Sequence, residues 1–340
     1  MIGVIFSLEV AGSIHNLIKM QNMNPFKCKI CTAEKYSPLR VKEMMYGRVA
    51  EFDYGLCQSC QCLQIREVPE NLAEFYPNNY YSFSANTKRR PFKNWKKVIW
   101  RKIILNHPET ISPLFFLFKK SQPLFWIYRK MGLRRGMETL DVGAGSGFHV
   151  LELRSAGVRA LGIDPNINAD LMVQSTLLVK KIELKEINQK LDIITFHHSF
   201  EHINEQLETL IHAKALLKPE GKILIRIPTV SSWAFEEYKE NWFQLDAPRH
   251  LFLHSHKSIK MLAEQADLKV IDLWCDSTET QFIASEQYRM GMTLLDSKSF
   301  MVNKKKSIWT NGEVKKFKEK ARKANNVLRG DQICVILSAN

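Results

Sequence analysis

The chain has 340 residues, 45% hydrophobic and 25% charged, which is ordinary for a folded protein of about two domains. No apolar run approaches the ~20 residues that a membrane-spanning helix needs, and the apolar first eighteen residues lack the basic leading segment of a secretory signal. These features favour a cytoplasmic protein. We expect residues 1–23 to be a leader outside the fold, with Met20 or Met23 as an alternative start.

The net charge of +14 is concentrated in two segments of the chain. Residues 86–136 contain fourteen Lys and Arg against the single acid Glu109, and residues 298–330 contain eleven against two acids. The net charges of these segments are +13 and +9, so the rest of the chain carries −8. Localised charge of this kind indicates a partner or a surface, and says little about the fold.

Residues 24–66 contain two Cys-x-x-Cys pairs, Cys28 with Cys31 and Cys57 with Cys60. Four thiolates at this spacing suit tetrahedral coordination of a structural zinc ion. A module this small has too little core to fold unaided, so the metal would supply much of its folding free energy. Disulfides are the alternative, but they would need a secretory route that the sequence does not indicate. We therefore predict a small zinc-ribbon-like module.

Residues 67–134 are predicted to be a basic, aromatic-rich helical linker. Apolar residues between Trp95 and Ile103 follow helical spacing, and aromatic clusters follow at residues 114–118 and 124–128. Three roles remain open for residues 86–136. They could cover the core of the next domain, touch an anionic membrane surface or contact nucleic acid.

From residue 135 to residue 340, predicted strands alternate with predicted helices, which indicates a parallel sheet covered on both faces. The predicted strands are residues 139–142, 159–163, 191–196, 222–227, 269–275 and 331–338. The predicted helices are residues 148–157, 207–217, 257–266 and 314–327. We expect the insertion at residues 282–301 to close over a bound substrate.

Residues 140–148 read LDVGAGSGF, directly after the first predicted strand of this sheet. A phosphate-binding loop would end in Gly-Lys-Ser or Gly-Lys-Thr, and a dinucleotide-binding loop would space its third glycine differently. Asp141 would repel a pyrophosphate but suits a ligand with an ammonium group. Asp164 ends the second predicted strand, where a carboxylate can accept both hydroxyls of a ribose. Adenosine joined to a cationic amino acid is S-adenosylmethionine.

Four segments in register resemble class I S-adenosylmethionine-dependent methyltransferases of the ubiquinone-pathway-like and polysaccharide-biosynthesis type. They are LDVGAGSGF, GIDP at residues 162–165, DIITFHHSFEH at residues 192–202 and LLKPEGK at residues 216–222. The resemblance covers residues 135–340 and implies an α/β, Rossmann-like sheet of seven strands with helices on both faces and an antiparallel last strand at the sheet edge. The double-cysteine module is similar to zinc-binding modules that precede some sugar methyltransferases.

The resemblance also implies which residues hold the cofactor. The glycines would let the backbone approach its methionine part, Asp164 would bind the ribose, and Glu183 is the candidate partner of the adenine amino group. The predicted cofactor-binding residues are Asp141, Gly143, Gly145, Gly147, Asp164, Pro165, Glu183 and His197.

If the methyl acceptor is a hydroxyl, a histidine is the usual group to take its proton near neutral pH. We expect His250 to be this general base, with Glu201 and His202 as further catalytic residues. Together with His198, these three also resemble the Glu-x-x-Glu-His set with a distant His that binds a divalent metal in small-RNA 2′-O-methyltransferases. His198 stands where that pattern begins with glutamate. A second divalent metal at the four residues is therefore an alternative.

The sequence thus predicts a methyltransferase acting on a hydroxyl, or another nucleophile, of a sugar, a lipid-linked saccharide or a similar small acceptor. One alternative is an RNA methyltransferase, which the basic segments permit. Another is a non-catalytic protein that binds zinc and S-adenosylmethionine and docks a partner. The predicted location is cytoplasmic or peripheral to a membrane, with residues 86–136 as the predicted membrane contact.

Overall fold

The computed structural model describes residues 25–77, 95–106 and 123–340. The predicted leader at residues 1–23 and the aromatic cluster at residues 114–118 lie outside these ranges. Within them, no helix is both long enough and apolar enough to cross a membrane.

The cysteine-containing module is a small antiparallel sheet. Its strands are β1 (Tyr36–Lys42), β2 (Glu51–Cys57) and β3 (Leu63–Ile65). A fourth strand, β10 (Phe252–Leu253), pairs with β3 although it comes almost two hundred residues later. The module is therefore completed by the domain that follows it. Tyr54 of β2, fully buried, strengthens this junction by donating a 2.9 Å hydrogen bond to the carbonyl of His250.

The basic linker contains two α-helices among the described residues, α1 (Trp95–Asn106) and α2 (Pro123–Lys130), and a 3-10 helix at Leu72–Phe75. The two α-helices contribute Ile104, Leu105, Phe125, Ile127 and Tyr128 to a hydrophobic cluster of the main domain, and all five side chains are buried. The described part of the linker therefore covers the domain core, which is the first of the three predicted roles. A membrane or nucleic-acid contact of residues 86–136 stays a prediction.

The main domain is built on an eight-stranded sheet. Its strands are β4 (Glu138–Val142), β5 (Arg159–Ile163), β6 (Leu171–Val173), β7 (Thr176–Lys180), β8 (Leu191–His197), β9 (Leu217–Pro228), β11 (Leu268–Cys275) and β12 (Gln332–Ala339). Their order across the sheet is β11-β12-β9-β8-β4-β5-β7-β6. The five neighbouring strands β9, β8, β4, β5 and β7 are parallel, as the alternating pattern predicts.

The structure adds detail to the predicted seven-stranded sheet at its two ends. An eighth strand, β6, pairs antiparallel with β7 at one edge. At the other end β12 is antiparallel, as expected, but it lies between β9 and β11 and not at the edge. The reason is visible in its burial, because residues 332–337 are buried on both faces. A strand that is apolar on both faces is stable in the interior of a sheet, with a paired strand on each side and helices over both faces.

Helices cover both faces of this sheet. They are α3 (Phe148–Ser155), α4 (Gln206–Leu216), α5 (Trp233–Tyr238), α6 (His256–Gln265), α7 (Thr280–Arg289) and α8 (Asn311–Asn326). Successive strand residues enter different hydrophobic clusters, with Ile194 and Phe196 in one and Ile193 in the other. This alternation places one core on each side of the sheet. The carboxyl ends of β4, β5 and β8 then meet along one edge, where the candidate site lies.

Candidate cofactor and acceptor sites

The glycine turn between β4 and α3 is tightly packed. Gly143, Gly145 and Gly147 have φ angles of +73°, +50° and +70°, a region that favours glycine. A Cβ at Gly143 would overlap the side chain of Ser199, and one at Gly147 would lie 2.6 Å from a methyl carbon of Leu178. Glycine is therefore needed for packing at Gly143 and Gly147, and the predicted close approach of the turn to a cofactor stays a prediction.

A cavity of about 570 Å³ opens beside this turn, at the carboxyl ends of the parallel strands. Its volume is within the ~300–1,000 Å³ range of small-molecule sites. The described residues that line it are Tyr76, Val142, Gly143, Ile163, Asp164, Pro165, Asn166, Ile182, Glu183, Leu184, Lys185, His198, Ser199, His202, Ile203, Glu205, Glu208, Thr209 and His212. We call it the first cavity.

Four of the predicted cofactor-binding residues, Gly143, Asp164, Pro165 and Glu183, line the first cavity. The carboxylate of Asp164 accepts hydrogen bonds of 2.9 Å from the backbone N–H groups of Gly145 and Asn166, one on each oxygen. Burial raises the pKa of Asp164 in spite of these two bonds. Asp164 thus closes the turn and faces the cavity at the same time.

The other predicted cofactor-binding residues, Asp141, Gly145, Gly147 and His197, lie outside the lining of the first cavity, and their roles stay predictions. Asp141 is 2% exposed and accepts a 2.8 Å hydrogen bond from the hydroxyl of Thr195. Burial raises the pKa of Asp141 to about 6, although the charge of His149 and the Thr195 hydrogen bond act in the opposite direction.

His197 is the last residue of β8 and is held from the linker side. Its Nε2 lies 2.9 Å from the hydroxyl of Tyr128 in α2, and the ring of His149 packs 4.7 Å away. Burial is the main cause that lowers the pKa of His197 far below its usual range. His197 is therefore neutral, and its ring is held between Tyr128 of α2 and His149.

A second cavity of about 430 Å³ lies on the other side of His198. Its described lining comes from three distant segments and His198, namely Met45, Tyr46, His198, Phe243, Gln244, Asp246, His250, Leu294, Leu295 and Met301. His198 lines both cavities, so the two spaces meet at this side chain. Leu294, Leu295 and Met301 belong to the region that the sequence predicts to close over a substrate.

His198 is held in an unusual backbone conformation, with a φ angle of +51°. Residues other than glycine rarely adopt such angles, and those that do cluster at functional sites. Arg226 donates a hydrogen bond of 3.2 Å to His198 Nε2, and Arg226 is itself paired with Asp276 at 2.7 Å. A guanidinium cannot accept a hydrogen bond, so the proton of a neutral His198 ring must be on Nδ1. That nitrogen lies 3.4 Å from an oxygen of Glu201.

Glu201, His202 and His250, the three predicted catalytic residues, come together where the two cavities meet. One ligand atom from each lies within 4.8 Å of the other two. Glu201 is fully buried, and neither of its carboxylate oxygens has a hydrogen-bond partner among the described residues. Burial alone would raise the pKa of Glu201, but its interaction with His198 and the nearby His202 and His250 outweigh burial and lower the pKa to about 2.

Backbone carbonyls fix the tautomers of both histidines in this cluster. His250 Nδ1 lies 2.7 Å from the carbonyl oxygen of Gln244, and His202 Nδ1 lies 2.8 Å from that of Arg249. Since a carbonyl only accepts, each Nδ1 carries a proton and each neutral ring has its lone pair on Nε2. The Nε2 of His250 is 3.9 Å from Glu201 and 3.8 Å from Asp246. Burial and the neighbouring His250 lower the pKa of His202, which favours its neutral form.

A buried ion network attaches the cysteine-containing module of β1 to β3, which we call the ribbon, to the wall of the second cavity. Arg249, with no exposed surface, donates 2.7 Å and 2.6 Å hydrogen bonds to Glu43 and Asp246. Glu43 accepts the backbone N–H groups of Tyr46 and Arg48, and so shapes the loop between β1 and β2. The sequence gives no indication of the role of this loop. No local pattern could have found it, because Glu43 and Arg249 are 206 residues apart.

The four predicted zinc ligands converge at the start of the ribbon. The Cys28 and Cys60 sulfurs lie 3.5 Å apart, as do those of Cys31 and Cys57, and all four lie within 4.8 Å of one another. Sulfurs at ~2.3 Å from one tetrahedral ion would be separated by about 3.8 Å. The buried Cys62 Sγ instead lies 3.8 Å from the Leu63 carbonyl and is outside this set.

A comparison with known families identifies the central region. Residues 121–273 match the family model described as a methyltransferase domain. The centre of this chain is therefore similar to methyltransferase domains. With the sheet order described above, the match gives this region the class I, S-adenosylmethionine-dependent methyltransferase fold that the sequence resemblance implied.

Individual relatives are more distant. The chain is 28% identical over 158 residues to C-methyltransferase NovU of Streptomyces niveus, a match that covers 42% of this chain and 36% of NovU. A methyltransferase from Archaeoglobus fulgidus aligns with 66% of this chain and 99% of its own, at 17% identity and a TM-score of 0.42. The cyclopropane synthase MmaA2 from Mycobacterium tuberculosis aligns with 76% and 97%, at 15% identity and a TM-score of 0.40.

Proposed function

We propose that the protein transfers the methyl group of S-adenosylmethionine to a hydroxyl group of a sugar, a lipid-linked saccharide or a similar small acceptor. The observation that carries the proposal is that His198 lines both cavities. A methyl donor in the first cavity and an acceptor in the second would then face each other across one side chain. Such alignment is the main contribution an enzyme makes to methyl transfer from a sulfonium, since the leaving group is already activated.

The residues of the first cavity fit S-adenosylmethionine. Gly143 lines this cavity and has no side chain, so its backbone can approach a ligand closely. Asp164 follows β5, and each of its carboxylate oxygens accepts one backbone hydrogen bond. Each oxygen therefore has a further lone pair that can accept a hydrogen bond from a ribose hydroxyl. The side chain of Glu183 is 54% exposed and lines the same cavity, where it can accept a hydrogen bond from an adenine amino group.

The second cavity suits an acceptor with both polar and apolar faces. Gln244, Asp246 and His250 offer hydrogen-bond partners for hydroxyl groups. The remaining wall includes the apolar side chains Met45, Phe243, Leu294, Leu295 and Met301. A volume of about 430 Å³ is appropriate for one small molecule or one sugar unit, which favours such an acceptor over an RNA chain.

When bound, S-adenosylmethionine supplies a methyl group whose bond to sulfur breaks as its bond to the acceptor oxygen forms. The acceptor hydroxyl must also lose its proton. His250 Nε2 and Asp246 Oδ2, 3.8 Å apart, are the groups of this wall that can receive it. Both hydrogen bonds from Arg249 to Asp246 end on Oδ1, so they leave Oδ2 for this purpose.

We further propose that the four cysteines hold a structural zinc ion. The ion would tie the first knuckle, Cys28 and Cys31, to the end of β2, where Cys57 and Cys60 lie. The β1–β2 loop carries Met45 and Tyr46 into the second cavity. Zinc would therefore serve the reaction indirectly, by fixing the ribbon that forms part of the acceptor wall.

The test is methyl transfer by the full chain. Protein is incubated with S-adenosylmethionine carrying an isotopic label on the methyl group, and with sugar nucleotides, lipid-linked saccharides or RNA as separate acceptors. We expect label in a saccharide, together with S-adenosylhomocysteine. The variant Gln244→Ala should raise the acceptor KM while calorimetry shows unchanged cofactor binding. Absence of cofactor binding, or label only in RNA, would refute the proposal.

A further inference from the structure

We propose that Glu201, His202 and His250 bind a divalent cation where the two cavities meet, at a site separate from the four cysteines. The binding of the ion is argued from the geometry of these side chains alone. Its role in methyl transfer rests on the proposed function.

Glu201 is the first reason to expect an ion. It is fully buried, yet neither carboxylate oxygen has a well-formed hydrogen bond among the described residues, since His198 Nδ1 approaches Oε1 only to 3.4 Å. His250 Nε2 lies 3.9 Å from the same oxygen, and in the neutral ring this nitrogen carries no proton. A buried charge without hydrogen bonds is costly, and proteins normally pair it or use it to coordinate a metal. An ion between Glu201 and the two histidines of the cluster would satisfy this carboxylate.

The orientation of the two histidines also suits an ion. Metal-binding histidines usually donate their other ring N–H to a backbone carbonyl or a carboxylate, which fixes the ring and the tautomer. His202 and His250 both do so, through Arg249 and Gln244 respectively. Each ring therefore has an Nε2 lone pair available for a ligand.

His198 is left out of the proposed ligand set. The hydrogen bond from Arg226 occupies its Nε2 lone pair, so the ring proton lies on the Nδ1 that faces Glu201. A protonated nitrogen cannot coordinate a metal. The predicted set of four is thereby reduced to three protein ligands, and three ligands leave coordination positions open for an acceptor oxygen.

The donor set indicates the kind of ion. Two imidazole nitrogens and one carboxylate suit Zn²⁺ and other divalent first-row transition metals, whereas Mg²⁺ and Ca²⁺ prefer oxygen ligands. The location indicates its role, because His202 lines the first cavity and His250 lines the second. An acceptor hydroxyl bound to the ion would have a lowered pKa. Its O–H bond would then break with transfer of the proton to Asp246 Oδ2, which leaves the oxygen electron pair to form the bond to the methyl group.

The experiment counts metal ions in the full chain. Protein is loaded with Zn²⁺, desalted and analysed by mass spectrometry, and p-hydroxymercuribenzoate then releases only the thiolate-bound ion. We expect about two ions per chain, of which about one is released by the mercurial. Glu201→Gln and His250→Asn should each lower the total to about one without changing the mercurial-released fraction. Two variants are used because either substitution alone could disturb folding. Circular dichroism shows whether each variant is folded.

The matched control is His256→Gln, a histidine outside both cavities, which should retain both ions. A wild-type chain with one ion, all of it released by the mercurial, would overturn the inference and leave His250 as a metal-free base. So would a folded Glu201 variant that keeps two. Methyl transfer is measured separately, so one ion with normal transfer refutes only the metal site. Two ions without any transfer would refute only the proposed function.

Discussion

The two cavities of this protein are built in different ways. All described residues of the first cavity except Tyr76 come from positions 142–212, mostly from loops that follow strands of one sheet. The second cavity takes its wall from residues 45–46, from His198, from residues 243–250 and from residues 294–301. The first cavity is therefore fixed by one continuous stretch of the sequence, apart from Tyr76. The second cavity depends on contacts between distant parts of the chain, and above all on the ribbon.

The largest difference between the two cavities should follow loss of the zinc ion that we propose for the ribbon. Cys57→Ser removes one of four thiolates, and structural zinc contributes about 10–16 kcal/mol in small zinc domains. We expect methyl transfer to fall by about a hundredfold or more, because the β1–β2 loop loses its position. S-adenosylmethionine binding, measured by calorimetry, should change little.

The matched control for this variant is Cys62→Ala, which removes a buried cysteine outside the ligand set and should keep the zinc. If Cys57→Ser abolishes cofactor binding as completely as methyl transfer, the two cavities are not independent in the way we describe.

Arg249→Met tests the buried ion network that connects the ribbon to the second cavity. It leaves Glu43 and Asp246 as buried carboxylates without their cation, and breaking a buried ion pair costs about 3–5 kcal/mol. Urea unfolding should show a loss of this size in the free energy of unfolding. In the protein that remains folded, the KM for the acceptor should rise. Arg40→Met is the control, because its exposed pair with Glu51 contributes about 0–1 kcal/mol. Equal losses in the two variants would contradict the proposed importance of the network.

Gly143→Ala should affect the first cavity. The new Cβ would overlap Ser199 in a backbone conformation with φ of +73°, and we expect a loss of about 2 kcal/mol, or about thirtyfold, in cofactor affinity. Gly136→Ala has a φ of +82° but no atom within 4 Å of the new Cβ, so it separates backbone strain from steric overlap. Comparable affinities in the two variants would show that the close packing of the turn is unimportant for binding.

The smallest expected effect is a pH dependence of cofactor binding. Burial raises the pKa of Asp141 to about 6, so in the free protein this carboxylate ionises as the pH rises from 5 to 7. If Asp141 holds the ammonium group as predicted, affinity should fall by up to about tenfold per pH unit below 6 and level off above it. Asp141→Asn should remove this slope. A wild-type affinity that is flat between pH 5 and 7 would end the predicted role of Asp141.

The contrast between the cavities also explains what the sequence could predict. The turn at residues 143–147 and the acid at position 164 follow parallel strands, so their meeting at one edge of the sheet follows from the alternating pattern alone. The histidines at 202 and 250 could be named from their chemistry, but their contact depends on how the loop at 243–250 packs against the ribbon. Tyr46 and Arg249 had no local signal, because their positions follow from ion pairs between residues far apart in sequence. Strands β6 and β7 were missed for a simpler reason, since both are short and neither LMV nor TLLVK alternates regularly between polar and apolar residues.

A crystal structure of the full chain with S-adenosylhomocysteine would test the central claim most directly, which is that the two cavities hold donor and acceptor on either side of His198. We predict density for the nucleoside in the first cavity, against Gly143 and Asp164, with the sulfur directed towards His198 and the second cavity. An empty first cavity, or a ligand whose sulfur points away from His198, would contradict the account.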